Sequence, residues 1–92
     1  MVIYLSGAMA SCPKTYKGIF AEAQALLEAE GHTVLNPATL PKGLAGDKYM
    51  PICLAMLDAA EAIYLFNDWE HSPGALLEKA YAFYQGKAIL YG

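Results

Sequence analysis

Ser72, Gly74 and Glu78 are the residues of this chain whose types and spacing could do chemistry. They lie in the stretch Ser72-Pro73-Gly74-Ala75-Leu76-Leu77-Glu78, just past the apolar run Ala62-Ile63-Tyr64-Leu65-Phe66. The pattern reads as a strand, a short loop and a helix. Ser72 suits the N-cap, Pro73 the first helical position, and Gly74 lets a ligand approach the backbone closely. A helix start with free N–H groups and a hydroxyl is a ready anion site. Glu78 lies six residues past the cap, about 9 Å further along at ~1.5 Å per residue. That is roughly the separation between a nucleotide's 5′-phosphate and its glycosidic carbon. One short segment can therefore hold a phosphate and present a nucleophile or base to a sugar. The same residues also spell ordinary capping chemistry, with the glutamate on a solvated face.

The elements that must position this segment follow from the rest of the chain. Val2 to Ser6 is an apolar run ending at Gly7, the pattern of a buried parallel strand. A loop from Gly7 to Pro13 leads into a helix opened by Pro13 or Lys14 and running to about Glu30. Ile19, Phe20, Ala23, Leu26 and Leu27 share its apolar stripe, and Gly31 ends it in the C′ position. Thr33 to Leu35 is the second strand, and Asn36-Pro37 begins a long loop. Asp47 caps a second helix to about Ala60, with Pro51 tolerated near its first turn. Ala62 to Phe66 is the third strand and Asn67 to His71 the loop beyond it. The helix capped by Ser72 runs to Gln85 and stops at Gly86, and Lys87 to Tyr91 is the last strand.

Strand and helix alternate throughout, and every strand is an apolar run. The expected fold is a small doubly wound, flavodoxin-like α/β unit of three layers around a four-stranded parallel sheet. Ligands of such sheets bind beyond the carboxyl ends of the strands. The loops after Ser6, Leu35 and Phe66 leave from that edge, so Gly7, Asn36 and the 67–72 stretch converge where a site is expected.

Composition sets the outer bounds. A chain of 92 residues is expected to form one domain, 1–92. It buries only ~60–65% of its unfolded surface, so its stability alone is modest. It is nevertheless 57% hydrophobic and only 16% charged. That excess of apolar surface predicts a homo-oligomer, a dimer or larger. A net charge of −3, with no basic run, speaks against long nucleic acid as a partner. No segment reaches the ~20 apolar residues of a membrane helix. Cys12 and Cys53 form no CxxC pair and no signal peptide is evident, which predicts a reduced, cytoplasmic setting. The two histidines lack i,i+4 spacing, so no metal site is expected, and the reading calls for no other cofactor.

Several of these residues carry a resemblance. Ile3-Tyr4-Leu5-Ser6-Gly7, Gly31-His32-Thr33-Val34-Leu35-Asn36-Pro37, the stretch from Tyr49 to Leu57, Ala62 to Phe66, Trp69 and the Ser72–Glu78 segment together resemble the nucleoside 2-deoxyribosyltransferase-like superfamily. The likeness is strongest to its small phage and bacterial branch. It implies that Tyr4 and Gly7 line a sugar site and that Glu78 attacks the anomeric carbon. It also implies that Ser72, where transferases of free nucleosides tend to carry an Asp, marks the branch that accepts deoxynucleoside 5′-monophosphates. One position departs from the pattern. The Asp that the family places on the helix before the third strand falls on Cys53, a change that removes a strong hydrogen-bond acceptor and counts against catalysis.

The resulting expectation is a nucleotide ligand and cleavage or transfer at its N-glycosidic bond. Glu78 and Tyr4 are the catalytic candidates; Gly7, Asn36, Trp69, Ser72 and Gly74 are the binding candidates. Trp69 offers an indole to stack on a base or to pack on a partner subunit, and Asn36 either binds ligand or makes a turn with Pro37. The alternative is a protein that binds a nucleotide or an ADP-ribose-type signal in the same pocket without chemistry. A weaker third reading is an interaction module that uses Trp69 and the tyrosines as its surface.

Overall fold

The computed structural model describes residues 1–9 and 14–92. Cys12 and Pro13 lie outside the described residues. The element order is β1 (Val2–Ser6), α1 (Tyr16–Ala29), β2 (Thr33–Leu35), α2 (Gly46–Ala59), β3 (Ala62–Leu65), α3 (Pro73–Tyr84) and β4 (Ala88–Tyr91). Short 3₁₀ turns at Pro37–Thr39 and Trp69–His71 lie in the loops after β2 and β3. The four strands form one parallel sheet in the order β2-β1-β3-β4, so the chain winds outward in both directions from β1. This is the flavodoxin-like, doubly wound topology expected from the alternation of elements.

Strand parity sorts the core into two layers. Tyr4 of β1 and Ile63 and Leu65 of β3 face one side, where they meet Cys53 and Leu57 of α2 and Ala82 of α3. Ile3, Leu5 and Ala62 face the other side, where Phe20 of α1 and Ala38 cover them. Reversing direction at β1 places α1 alone on one face and α2 with α3 on the other, as right-handed crossovers require.

Two helix ends are set by glycine. Gly31 and Gly86 both adopt positive φ, +94° and +73°. At the first, Gly31 N–H donates to Glu28 and His32 N–H to Leu27; at the second, Gly86 N–H donates to Phe83 and Lys87 N–H to Ala82. Both patterns are Schellman caps, which a Cβ at the left-handed residue would strain.

The structure revises some boundaries. α1 begins at Tyr16, behind a Thr15 that makes no side-chain cap, rather than at Pro13 or Lys14. Its buried stripe is narrower than expected: Phe20 and Ala23 are buried and Leu27 half-buried, while Ile19 and Leu26 are exposed. Asp47 is not the cap of α2. Ala45 holds that position, and Asp47 lies in the first turn, where its charge complements the helix dipole. Pro51 stands two positions deeper than a cap at Asp47 would place it and leaves the Asp47 carbonyl without an intrahelical donor.

Candidate active site

Ser72 caps α3 through its side chain, with Oγ accepting the Ala75 N–H at 3.2 Å. Pro73 follows at the first helical position, where its missing N–H costs nothing. Fixing the helix start fixes which side chains turn inward. Ala75, Glu78 and Ala82 form the buried face of α3, at i, i+3 and i+7. The two alanines bring the helix close to the sheet and leave Glu78 room between them.

Glu78 is only 6% exposed, yet both of its oxygens are satisfied. Tyr4 Oη donates to Oε2 at 2.7 Å, and Ser6 Oγ donates to Oε1 at 2.7 Å. Tyr4 and Ser6 are two residues apart on β1 and therefore share a face. They and the glutamate meet where β1 runs out into the Gly7 loop. Among the described residues no buried side-chain nitrogen or oxygen lacks a partner.

The electrostatics follow from this burial. Desolvation pushes the Glu78 carboxyl above the ordinary glutamate range, and the hydroxyls of Ser6 and Tyr4 pull it back. Burial, then the neighbouring Glu78 charge and Cys53, drive the Tyr4 phenol far above its usual value, which keeps it a neutral donor. Burial likewise raises the Cys53 thiol, with the Glu78 charge adding to the effect. The cluster is thus one carboxyl group surrounded by neutral hydroxyl and thiol groups. Such a carboxylate is suited to act as nucleophile or base, because little solvent shields it.

Around this centre, Gly7 has no room for a side chain. A Cβ there would sit 2.9 Å from Phe66 Cδ2 and 3.2 Å from Asp68 Oδ1. Asp68 itself ties the first and third loops together by accepting the Ala8 N–H at 3.3 Å. Gly74 lies beside Met50, whose Cε would be 3.4 Å from an added Cβ. A cleft of about 460 Å³ opens between the loops after β1 and β2, with Tyr16, Leu40, Lys42 and Tyr49 in its wall.

Two further sequence candidates engage partners within their own surroundings. Asn36 is buried and caps the 3₁₀ turn: Oδ1 accepts the Ala38 N–H at 2.9 Å and Nδ2 donates to Gln24 Oε1 at 2.9 Å. Those bonds are turn chemistry. Trp69 is half-buried against its own chain, with Tyr91 at 6.1 Å between ring centroids and Lys79 Nζ 4.7 Å from the indole centroid. No hydrogen bond joins either residue to Glu78. Conversely, Ser6 and Asp68 were not among the sequence candidates. For Ser6 a signal existed, since it shares strand parity with Tyr4; for Asp68 there was only its position in a carboxyl-edge loop.

The comparisons with known proteins can be set on this geometry. The family description of a domain of unknown function, DUF4406, matches residues 1–91. The chain belongs to the DUF4406 family. No curated protein matches its sequence. Among solved structures, this DUF4406 domain resembles a 2-desoxiribosyltransferase from Leishmania mexicana, with a TM-score of 0.79 and 21% identity. The match covers 98% of this chain and 62% of the other, so the DUF4406 chain spans a little under two thirds of that protein's length. At this identity the likeness establishes a shared 2-deoxyribosyltransferase-like fold. No helix among the described residues of the DUF4406 chain is long and apolar enough to cross a membrane.

Proposed function

We propose that this protein acts on the N-glycosidic bond of a (deoxy)nucleoside 5′-monophosphate, with Glu78 as nucleophile. The observation that carries the reading is the buried carboxylate gripped by Tyr4 and Ser6 at the carboxyl edge of the sheet. The 2-deoxyribosyltransferase-like fold supports it. A Glu78 oxygen attacks the anomeric carbon and the C–N bond breaks, its electron pair leaving with the base. The resulting glycosyl ester is opened by water or by a second base. Tyr4 orients the carboxylate. Gly7 lets the sugar approach the first loop, and Ser72, Gly74 and the first amides of α3 receive the phosphate. Asn36 serves by holding the 36–39 turn, and Trp69 borders the third loop. The chemistry needs no metal or other cofactor, and the expected setting is the cytoplasm.

The working unit is a homo-oligomer. The exposed positions of α3 are Pro73, Leu76, Leu77, Ala80, Phe83 and Tyr84, none of them charged. Phe83 and Tyr84 are 74% and 85% exposed, and Tyr91 lies open at the end of β4. An apolar helix face of this kind suits a second copy.

One observation favours a second reading, in which the pocket binds a nucleotide without turnover. The thiol of Cys53 packs beside Tyr4 at the position where the resemblance calls for a carboxylate. The experiment that decides is incubation with a panel of (deoxy)nucleoside monophosphates, following free base by chromatography and melting temperature in parallel. Base release abolished by Glu78→Gln establishes catalysis. A melting shift without product, surviving Glu78→Gln, establishes binding alone. Base release that persists at the wild-type rate in Glu78→Gln refutes the assignment of Glu78.

A further inference from the structure

Serine is an unexpected residue at position 6. Ser6 ends a buried strand between Leu5 and Gly7, is 1% exposed, and pairs in register with Leu65 of β3. Alanine would fill the same space without a polar atom to satisfy. The hydroxyl of Ser6 makes one side-chain bond, to Glu78 Oε1 at 2.7 Å, a length typical of a donor meeting an ionised oxygen.

We propose that Ser6 is a positioning residue that locks the plane of the Glu78 carboxylate and aims it at the reacting carbon. This rests on the reading of Glu78 as nucleophile. The terminal torsion of a glutamate is soft and roughly two-fold, so a carboxylate held at a single oxygen swivels about its last bond. Tyr4 alone provides one such anchor. Ser6 provides the second, on the other oxygen, and two anchors fix the plane. Both hydroxyls come from one strand, two residues apart, so the backbone of β1 sets their spacing. The bonds leave the remaining lone pairs of the two oxygens as the only ones a ligand can meet, and pre-alignment of this kind removes an entropic part of the barrier.

The two hydroxyls also hold the group ionised. Each donates its only proton, so each favours the charged over the protonated carboxyl. Ser6 is the stronger of the two opponents of burial. The other titratable groups near Glu78 do not replace it. On β1 there is Tyr4; from α2 there is Cys53, a neutral thiol. Asp58, lower on α2, is engaged by Tyr81, and β3 presents only Ile63 and Leu65 to this layer. Asp68 reaches back to Ala8, and Lys79 turns out to Trp69.

The test compares wild type, Ser6→Ala and Ser6→Thr by two readouts. The first needs no substrate: ¹³C NMR titration of the glutamate carboxyl carbons, with Glu78→Gln assigning the resonance. Ser6→Ala is expected to move the Glu78 midpoint to higher pH, and Ser6→Thr, which keeps the hydroxyl, to bring it back. The second is the pH profile of base release. Ser6→Ala is expected to lower kcat roughly tenfold to a hundredfold, the loss of one hydrogen bond to a charged group, with little change in KM. Its acid limb should move to higher pH in step with the titration. A Ser6→Ala protein whose Glu78 midpoint is unmoved overturns the proposal, whatever its melting temperature. So does a fall in kcat that Ser6→Thr fails to restore although its midpoint is normal. If no nucleotide is turned over by wild type, the reading of Glu78 as nucleophile fails. The titration then still decides whether Ser6 controls the carboxyl.

Discussion

Replacing Tyr4 by Phe removes one oxygen and leaves the ring, which makes it a sharp probe of the buried cluster. The lost bond is 2.7 Å long and runs from a neutral phenol to a carboxylate that is 6% exposed. Hydrogen bonds to charged groups contribute about 1.5–3 kcal/mol. In a domain of this size each kcal/mol shifts the melting temperature by about 4–8 °C, so Tyr4→Phe should melt roughly 6–24 °C lower at neutral pH. The pH dependence carries the sharper information. Burial holds the Glu78 carboxyl above its ordinary value in the folded state, with the Ser6 and Tyr4 hydroxyls opposing. A carboxyl raised on folding favours the folded state most below its unfolded value, and that contribution is lost as pH rises through the folded value. Removing the Tyr4 hydroxyl raises the folded value further and widens this window. The penalty of Tyr4→Phe should therefore be largest above the window. It should shrink by about half as pH falls and the bond becomes a neutral one of ~0.5–1.5 kcal/mol. Urea denaturation of wild type, Tyr4→Phe, Glu78→Gln and the double variant across this range measures the coupling directly. The reasoning is refuted if Tyr4→Phe costs the same on the Glu78 and Gln backgrounds, or the same at every pH.

Two further predictions concern the loop and the helix around this cluster. Gly7→Ala places a Cβ 2.9–3.2 Å from Phe66 and Asp68. It should destabilise the fold by about 1–3 kcal/mol in urea denaturation, and an unchanged midpoint would show that the loop gives way. Phe83→Glu puts a charge on the apolar face of α3, near its C-terminal end, and should convert the oligomer into a monomer with its secondary structure intact. Sedimentation velocity with circular dichroism checks this, and a wild-type protein that already sediments as a monomer would count against the interface.

Much of the fold was readable because local chemistry and tertiary structure agree. Gly31 and Gly86 terminate helices in isolation as they do in the protein, and the four apolar runs are too short for anything but strands. Ser72 caps α3 for the reason its sequence context suggests. Where expectation failed, a distant or weaker partner had decided the outcome. Asp47 looks like a cap, but a carboxylate two residues into a helix gains from the dipole without capping, and Ala45 can hold the cap with its backbone alone. Ile19 and Leu26 fit the helical period, yet one helix covers the α1 face of the sheet and has no second neighbour to bury a wide stripe. Trp69 sits in a loop by sequence, and only the position of Tyr91 at the far end of the chain shows what it packs on. The resemblance points to Tyr4 and Glu78 separately, and the structure joins them by a 2.7 Å bond. The Ser6 bond was not legible, because a serine at the end of an apolar run reads as the end of the run.

The bonds to Glu78 join residues 74 and 72 positions apart in a chain of 92. During synthesis the two hydroxyls leave the ribosome about 4–15 s before the carboxylate, at 5–20 residues per second. Through that interval β1 carries polar atoms whose acceptor does not yet exist. The carboxylate is made after β1, β2 and β3 and before β4, so it arrives while the sheet still lacks its last strand. A chain that stops before residue 78 therefore lacks the site, and whatever the glutamate does waits until α3 is made.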